Sequence, residues 1–168
     1  MANGLADDIA EEMGTNHWYV TQHLGARTTG VGYENHAQWQ GKVYTNEEME
    51  TVCGEDHPSG RGFNGYNCAH RKIIFIPGVS VDPPPVLNMD EMERVYALKQ
   101  KQNRYARDIR EVKRSINALS RLNSDEADSM KEKYKKELKR KQKKMRDFVK
   151  LNSDVLKRDY AKEKVFEA

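Results

Sequence analysis

Two spacings of apolar residues divide this chain. As far as residue 81 they come in short runs broken by glycine, asparagine and proline; from Met89 they recur every three or four positions, with no glycine or proline through Leu122. In the first part, Leu5, Ile9 and Met13 lie at i, i+4 and i+8, which predicts a short helix over 5–13 that Gly14 is placed to end. The aromatic and β-branched run HWYVTQ (17–22) predicts a strand, QGKVYT (40–45) a second, and KIIFI (72–76) the strongest, stopped by Pro77-Gly78. Between them, residues 23–38 and 46–67 read as loop. The run DPPP (82–85) lacks three backbone donors and favours an extended conformation, so residues 82–87 form a linker.

Beyond the linker, Tyr105, Ile109, Val112, Ile116 and Leu119 follow the 4-3-4-3 spacing of a heptad seam. A helix over 89–122 would be roughly 50 Å long. Asn123-Ser124-Asp125-Glu126 reads as a turn with a fresh N-cap, Asn123 facing Glu126 three residues on. A second helix over 125–150 carries Met130, Tyr134, Leu138, Met145 and Phe148 on its apolar side. The short connection predicts an antiparallel, coiled-coil-like hairpin, and the same seams permit self-association. Residues 153–164 read as a further short helix with Val155, Leu156 and Tyr160 on one side. The expected fold is α+β: a small, strand-poor, loop-rich domain over 1–81, the linker, and a basic helical hairpin over 88–168.

Composition supports two units over one sphere. Hydrophobic residues are 37% and charged residues 33% of the 168, with a mean hydropathy of −0.94, too little apolar material for one full core. The net charge of +3 hides a division. Residues 1–90 carry 5 Lys/Arg against 12 Asp/Glu, a net −7, and residues 91–168 carry 24 against 14, a net +10. The basic part suits an acidic partner. Two cysteines make no disulfide framework, no apolar run approaches the ~20 residues of a membrane span, and the acidic N-terminus lacks the basic region of a signal peptide. Production in the cytoplasm, with no membrane partner, is the expectation.

All five histidines and both cysteines fall between residues 17 and 70, and His and Cys are the usual zinc ligands. Cys53, His57, Cys68 and His70 are one candidate zinc set, although their C-x3-H and C-x-H spacings match no standard finger. The alternative is that these residues hold loops together by hydrogen bonds, with Cys68 as a small apolar group. A hydrolytic reading takes His23, His36 and His70 as general base and acid, with Arg27 or Arg71 steadying an anionic transition state. Against it stands the reading in which His36 and Arg27 bind backbone carbonyls; no nucleophile sits in a recognisable elbow. Gly60, Gly62 and Gly65 predict a tight loop that delivers residues 66–70 into the domain.

Three blocks, HLGAR (23–27), NHAQWQGKVYT (35–45) and GYNCAHRKIIFIPGVS (65–80), closely resemble the phage minor capsid protein 2 family. The resemblance rests on His23, Gly25, Ala26, Arg27, His36, Trp39, Gln40, Gly41, Asn67, Cys68, His70, Pro77 and Gly78, in order, and extends to the helical tail. The TTGVGYEN segment is longer than the family's usual link. Members usually carry a long region ahead of these blocks, so the chain corresponds to the C-terminal part of the pattern. The resemblance implies a structural head protein of a tailed phage or prophage rather than an enzyme. It would be made in the bacterial host and located in the virion near the portal, with the portal and other capsid proteins as partners and no cofactor.

Residues 131–146 (KEKYKKELKRKQKKMR) hold ten basic side chains against two glutamates. In a filled head, Lys135, Lys136, Lys139, Arg140, Lys143 and Lys144 could neutralise the phosphates of packaged DNA without reading sequence. The competing reading is a solvated helix exterior. No aromatic ladder interleaves the charges.

Overall fold

The structure, a computed structural model, describes residues 2–165. Its elements are α1 (Ala2–Glu12), β1 (His17–Val20), α2 (His36–Trp39), β2 (Val43–Thr45), α3 (Asn46–Thr51), β3 (Lys72–Phe75), α4 (Met89–Leu119) and α5 (Asp125–Leu151), with 3-10 turns at Gly32–Glu34 and Ala161–Glu163. The expected α+β class holds: a small sheet, then a helical hairpin. The chain divides into two compact units, Met1–Tyr96 and Ala97–Ala168.

In the first unit β1 is the central strand of three, antiparallel to β2 on one side and β3 on the other. Alternation along β1 sends Trp18 and Val20 into the core. They pack with Ala10, Trp39, Tyr44, Met49, Cys53 and Phe63. The Trp18 indole keeps its polar edge satisfied by donating to Asn46 Oδ1 at 2.5 Å.

Several details of the first unit depart from the sequence pattern. Helix α1 forms, but its inward face is Ala6 and Ala10, and the stripe of Leu5, Ile9 and Met13 is exposed. An ion pair from Lys72 to Asp7 at 2.8 Å accompanies this inward packing of small residues. Both expected loops contain helix. The turn α2 buries His36, Ala37 and Trp39, and α3 is set by a capping box, in which the Thr45 hydroxyl accepts from Glu48 N while Glu48 Oε2 accepts from Thr45 N at 2.8 Å. That T-x-x-E signature is legible in the sequence, and buried Met49 anchors the turn it starts. Of the three loop glycines, only Gly60 has a positive φ, at +63°. Gly62 and Gly65 answer to crowding: a Cβ would fall 2.2 Å from the carbonyl oxygens of Gly54 and Gly60 respectively.

Both ends of the Gln22 amide grip the linker. Its Nε2 donates to Pro85 O and its Oε1 accepts from Leu87 N, each at 3.0 Å. Asn88 then caps α4 by accepting from Glu91 N at 3.1 Å. Met92 packs with Leu24, Ala26, Ala37 and Leu87, so the start of α4 belongs to the first unit. Burial of a methionine side chain on this scale is worth about 1.5–3 kcal/mol.

In the second unit Ala106, Ile109 and Met145 form the buried centre, flanked by Tyr105, Leu138 and Val149. Tyr105 meets Phe148 edge-on at 5.2 Å between ring centroids. Lys101 lies over the Phe148 ring and Lys144 over the Tyr105 ring, so rising numbers in α4 meet falling numbers in α5 and the hairpin is antiparallel. Val112 is buried as expected, whereas Met130 is exposed. The cap of α5 is Ser124, whose hydroxyl accepts from Ala127 N at 3.1 Å, and not the expected Asn123. Residues 153–164 are not a regular helix; only a 3-10 turn forms. Their carbonyls are taken by α4: Gln102 donates to Lys157 O and Lys113 to Glu163 O, both at 2.8 Å, and Arg110 donates to Lys162 O. Leu156 is buried, Tyr160 is exposed, and buried Glu163 makes a two-pronged pair with Arg158 at 2.7 and 2.8 Å.

Replacing Ser124 by Ala should cost about 1 kcal/mol, while Asn123→Ala should be near neutral. Helical circular dichroism followed through urea unfolding checks this, and equal effects would refute Ser124 as the cap.

Candidate functional site

The family blocks identified in the sequence converge in the first unit. A tight turn, Ala26 N to His23 O at 3.2 Å, carries the chain from β1 toward α2. It places the Arg27 guanidinium on two loop carbonyls, Arg61 O at 2.8 Å and Tyr66 O at 2.9 Å. His36, at the start of α2, meets the same Arg61 carbonyl through Nε2 at 2.8 Å. A carbonyl only accepts, so His36 Nε2 carries the proton and Nδ1 keeps its lone pair.

Gln40 is fully buried and fixes the other imidazole. Its Oε1 accepts from His23 N at 3.0 Å and from His70 Nε2 at 2.9 Å, and its Nε2 donates to the Met92 sulfur. The backbone N–H identifies the oxygen end of the amide, so His70 Nε2 is also a donor and its Nδ1 lone pair is available. That Nδ1 lies 3.5 Å from Cys68 Sγ. Asn67, in the left-handed region at φ +60°, turns the chain immediately before Cys68, a conformation that asparagine tolerates better than most residues.

The rings pack into one cluster, His23 stacked on His70 and the others tilted or edge-on to it. His70 lies 4.5 Å from His23, 4.8 Å from Trp39 and 5.3 Å from His36, centroid to centroid. Burial pushes the His70 imidazole down to about 3, helped by the neighbouring His23 and His36. His36 is also lowered, first by burial, although its bond to Arg61 works the other way. Both rings are therefore neutral at pH 7. One ligand atom each from His36, Cys68 and His70 lies within 4.8 Å of the others.

The candidate zinc set is regrouped accordingly. Cys68 and His70 stay together, His36 joins them, and Cys53 and His57 do not belong. Cys53 sits in the apolar core, where burial pushes its thiol up to about 12. His57 is exposed, against Tyr33 and Ser59. Of the two arginines considered for an anion, Arg27 holds carbonyls and Arg71 bonds Thr21 through its backbone. The remaining family positions shape the backbone: Trp39 donates to Tyr33 O at 2.9 Å, Gly41 has φ +75°, and Pro77-Gly78 lie in a turn closed by Val79 N and Ser80 N on Ile76 O. Gly25 lies inside the turn at 23–26. Met92 and Gln22 escaped the sequence reading. A sulfur acceptor at a helix start and a linker clamp leave no local pattern.

In this loop-rich domain Arg27 and His36 are directed at its own backbone, and Gln40 and His70 at each other. The family model described as phage minor capsid protein 2 matches residues 1–150, and the chain belongs to that family. No curated protein and no solved structure matches it.

Gln40→Ala strands two buried donors and should destabilise the first unit by roughly 2–4 kcal/mol. Arg27→Lys loses the planar fork that spans two carbonyls and should cost about 1–3 kcal/mol. Both tryptophans, Trp18 and Trp39, lie in this unit, so fluorescence-monitored unfolding reads it alone. Unchanged midpoints would refute the assigned roles.

Proposed function

We propose that this phage minor capsid protein acts as a structural component of head assembly near the portal, in contact with the portal and other capsid proteins. The observation that carries the structural part is the direction of the family side chains. Arg27, His36, Gln40 and His70 point at backbone groups and at each other inside a small domain. A general base works best with a pKa near the working pH, and a buried imidazole near 3 is far from it. Nuclease-like use of His23, His36, His70, Arg27 and Arg71 is accordingly the weaker reading. The proposal predicts that the protein co-purifies with mature virions in few copies per head, by quantitative mass spectrometry. Its absence from purified virions would defeat it.

A second reading concerns the basic hairpin and packaged DNA. Lys135, Lys136, Lys139, Arg140, Lys143 and Lys144 are all exposed on α5. Several basic groups of this run are balanced by helix neighbours, as in the pairs Lys135–Glu132, Arg140–Glu137 and Lys141–Glu137. Among the described residues Lys136, Lys139 and Lys143 have no ion pair, so their charge is available to phosphates. Binding should be independent of sequence and fall steeply with salt. Changing these three to Gln should flatten the log K against log [salt] slope by up to about 0.9 for each phosphate no longer neutralised. Titration of labelled duplex DNA at several salt concentrations tests it, and an unchanged slope would assign the lysines to solvated surface.

A further inference from the structure

We propose that His36, Cys68 and His70 form a binding site for one divalent ion of the zinc class, ligated by Nδ1 of both imidazoles and by the Cys68 thiolate. The inference adds a ligand to the cluster and does not depend on where in the head the protein acts.

Three observations carry it. First, the orientation of both rings is fixed from behind. His36 donates Nε2–H to Arg61 O, and His70 donates Nε2–H to Gln40 Oε1, at 2.8 and 2.9 Å. Metal-bound histidines characteristically donate the second ring N–H to a carbonyl or carboxylate, which sets the tautomer and strengthens the ligating nitrogen. Here the two supports are a backbone carbonyl and a side-chain amide that is itself held by His23 N and Met92.

Second, the spacing fits a small tetrahedral ion. With metal–sulfur and metal–nitrogen bonds of about 2.3 and 2.05 Å, tetrahedral geometry separates S from N by about 3.6 Å. Cys68 Sγ and His70 Nδ1 are 3.5 Å apart. One ligand atom from each of the three residues lies within 4.8 Å of the others, so closure around an ion needs a contraction of up to about 1.3 Å, taken up at the His36 corner. Third, the set is two imidazoles and one thiol with no carboxylate, a combination suited to zinc and its neighbours and unsuited to magnesium or calcium.

Binding would proceed with loss of one proton, since the Cys68 S–H bond breaks, sulfur bonds to the metal and the proton passes to buffer. Three protein ligands leave one corner of the tetrahedron for water. The ion would tie α2 to the loop at 65–71.

Titration of the chelator-stripped full chain with Co(II) tests the site. One equivalent should bring up tetrahedral d–d bands and a thiolate charge-transfer band, both lost on adding Zn(II), and elemental analysis should then give one zinc per chain. Cys68→Ala should fold, as judged by tryptophan fluorescence, but bind no zinc at micromolar metal and lose the thermal shift that zinc gives the parent. Cys53→Ala and His57→Ala should retain both. A folded parent chain that binds no stoichiometric zinc, or a Cys68→Ala chain that binds it as the parent does, would overturn the proposal.

Discussion

The first unit depends on one buried side-chain amide. Gln40 joins three segments far apart in sequence: the chain leaving β1 at His23, the loop that returns at His70, and the start of α4 at Met92. An amide suits this position because one end accepts twice while the other donates. A carboxylate would lack the donor, and an aliphatic side chain would leave the His23 amide and the His70 ring without an acceptor in a place that water does not reach. Such a group adds little net stability when satisfied and costs a great deal when removed. Its main effect is to specify one arrangement of loops among many of similar compactness.

Lys72 does related work at the other edge of the sheet. Its ammonium is nearly buried, lies 4.4 Å above the Trp18 ring and pairs with Asp7 and Glu55 at 2.8 and 2.9 Å. Burial works against the charge on Lys72, yet the two carboxylates hold its pKa above the usual value. Burial pushes the Glu55 carboxyl up, opposed by the lysine. Buried pairs of this kind are weak sources of stability and better sources of register. This one fixes α1 and the loop after α3 against β3.

The sequence made the strands and long helices legible because each has a short-range signature: alternation in β1, a continuous apolar run in β3, and three–four spacing in α4 and α5. It also made His36 and Arg27 legible as carbonyl binders, and Cys68 with His70 as partners, because these are near in sequence or carry the family pattern. What it concealed depends on distance along the chain. Joining His36 to Cys68 and His70 requires the loop fold that Gly62 and Gly65 permit. The apolar stripe of Leu5, Ile9 and Met13 marks helix α1 without giving its inward face, since periodicity reports a face without saying what will cover it. The linker prolines likewise report local stiffness and say nothing of the Gln22 clamp.

Many of the long-range bonds end on main-chain oxygen. Arg27 and His36 hold the carbonyl of Arg61, Arg27 also that of Tyr66, and in the second unit Gln102, Arg110 and Lys113 hold those of Lys157, Lys162 and Glu163. A carbonyl is the same on every residue, so each bond constrains its two ends unequally. The donor must be one side chain of one length, while for that bond the acceptor position can carry almost any residue. Substitutional freedom is thereby distributed asymmetrically: the acceptor positions Arg61, Tyr66, Lys157 and Lys162 can alter their outward chemistry to suit a changing neighbour, while the side chains that hold their carbonyls stay fixed.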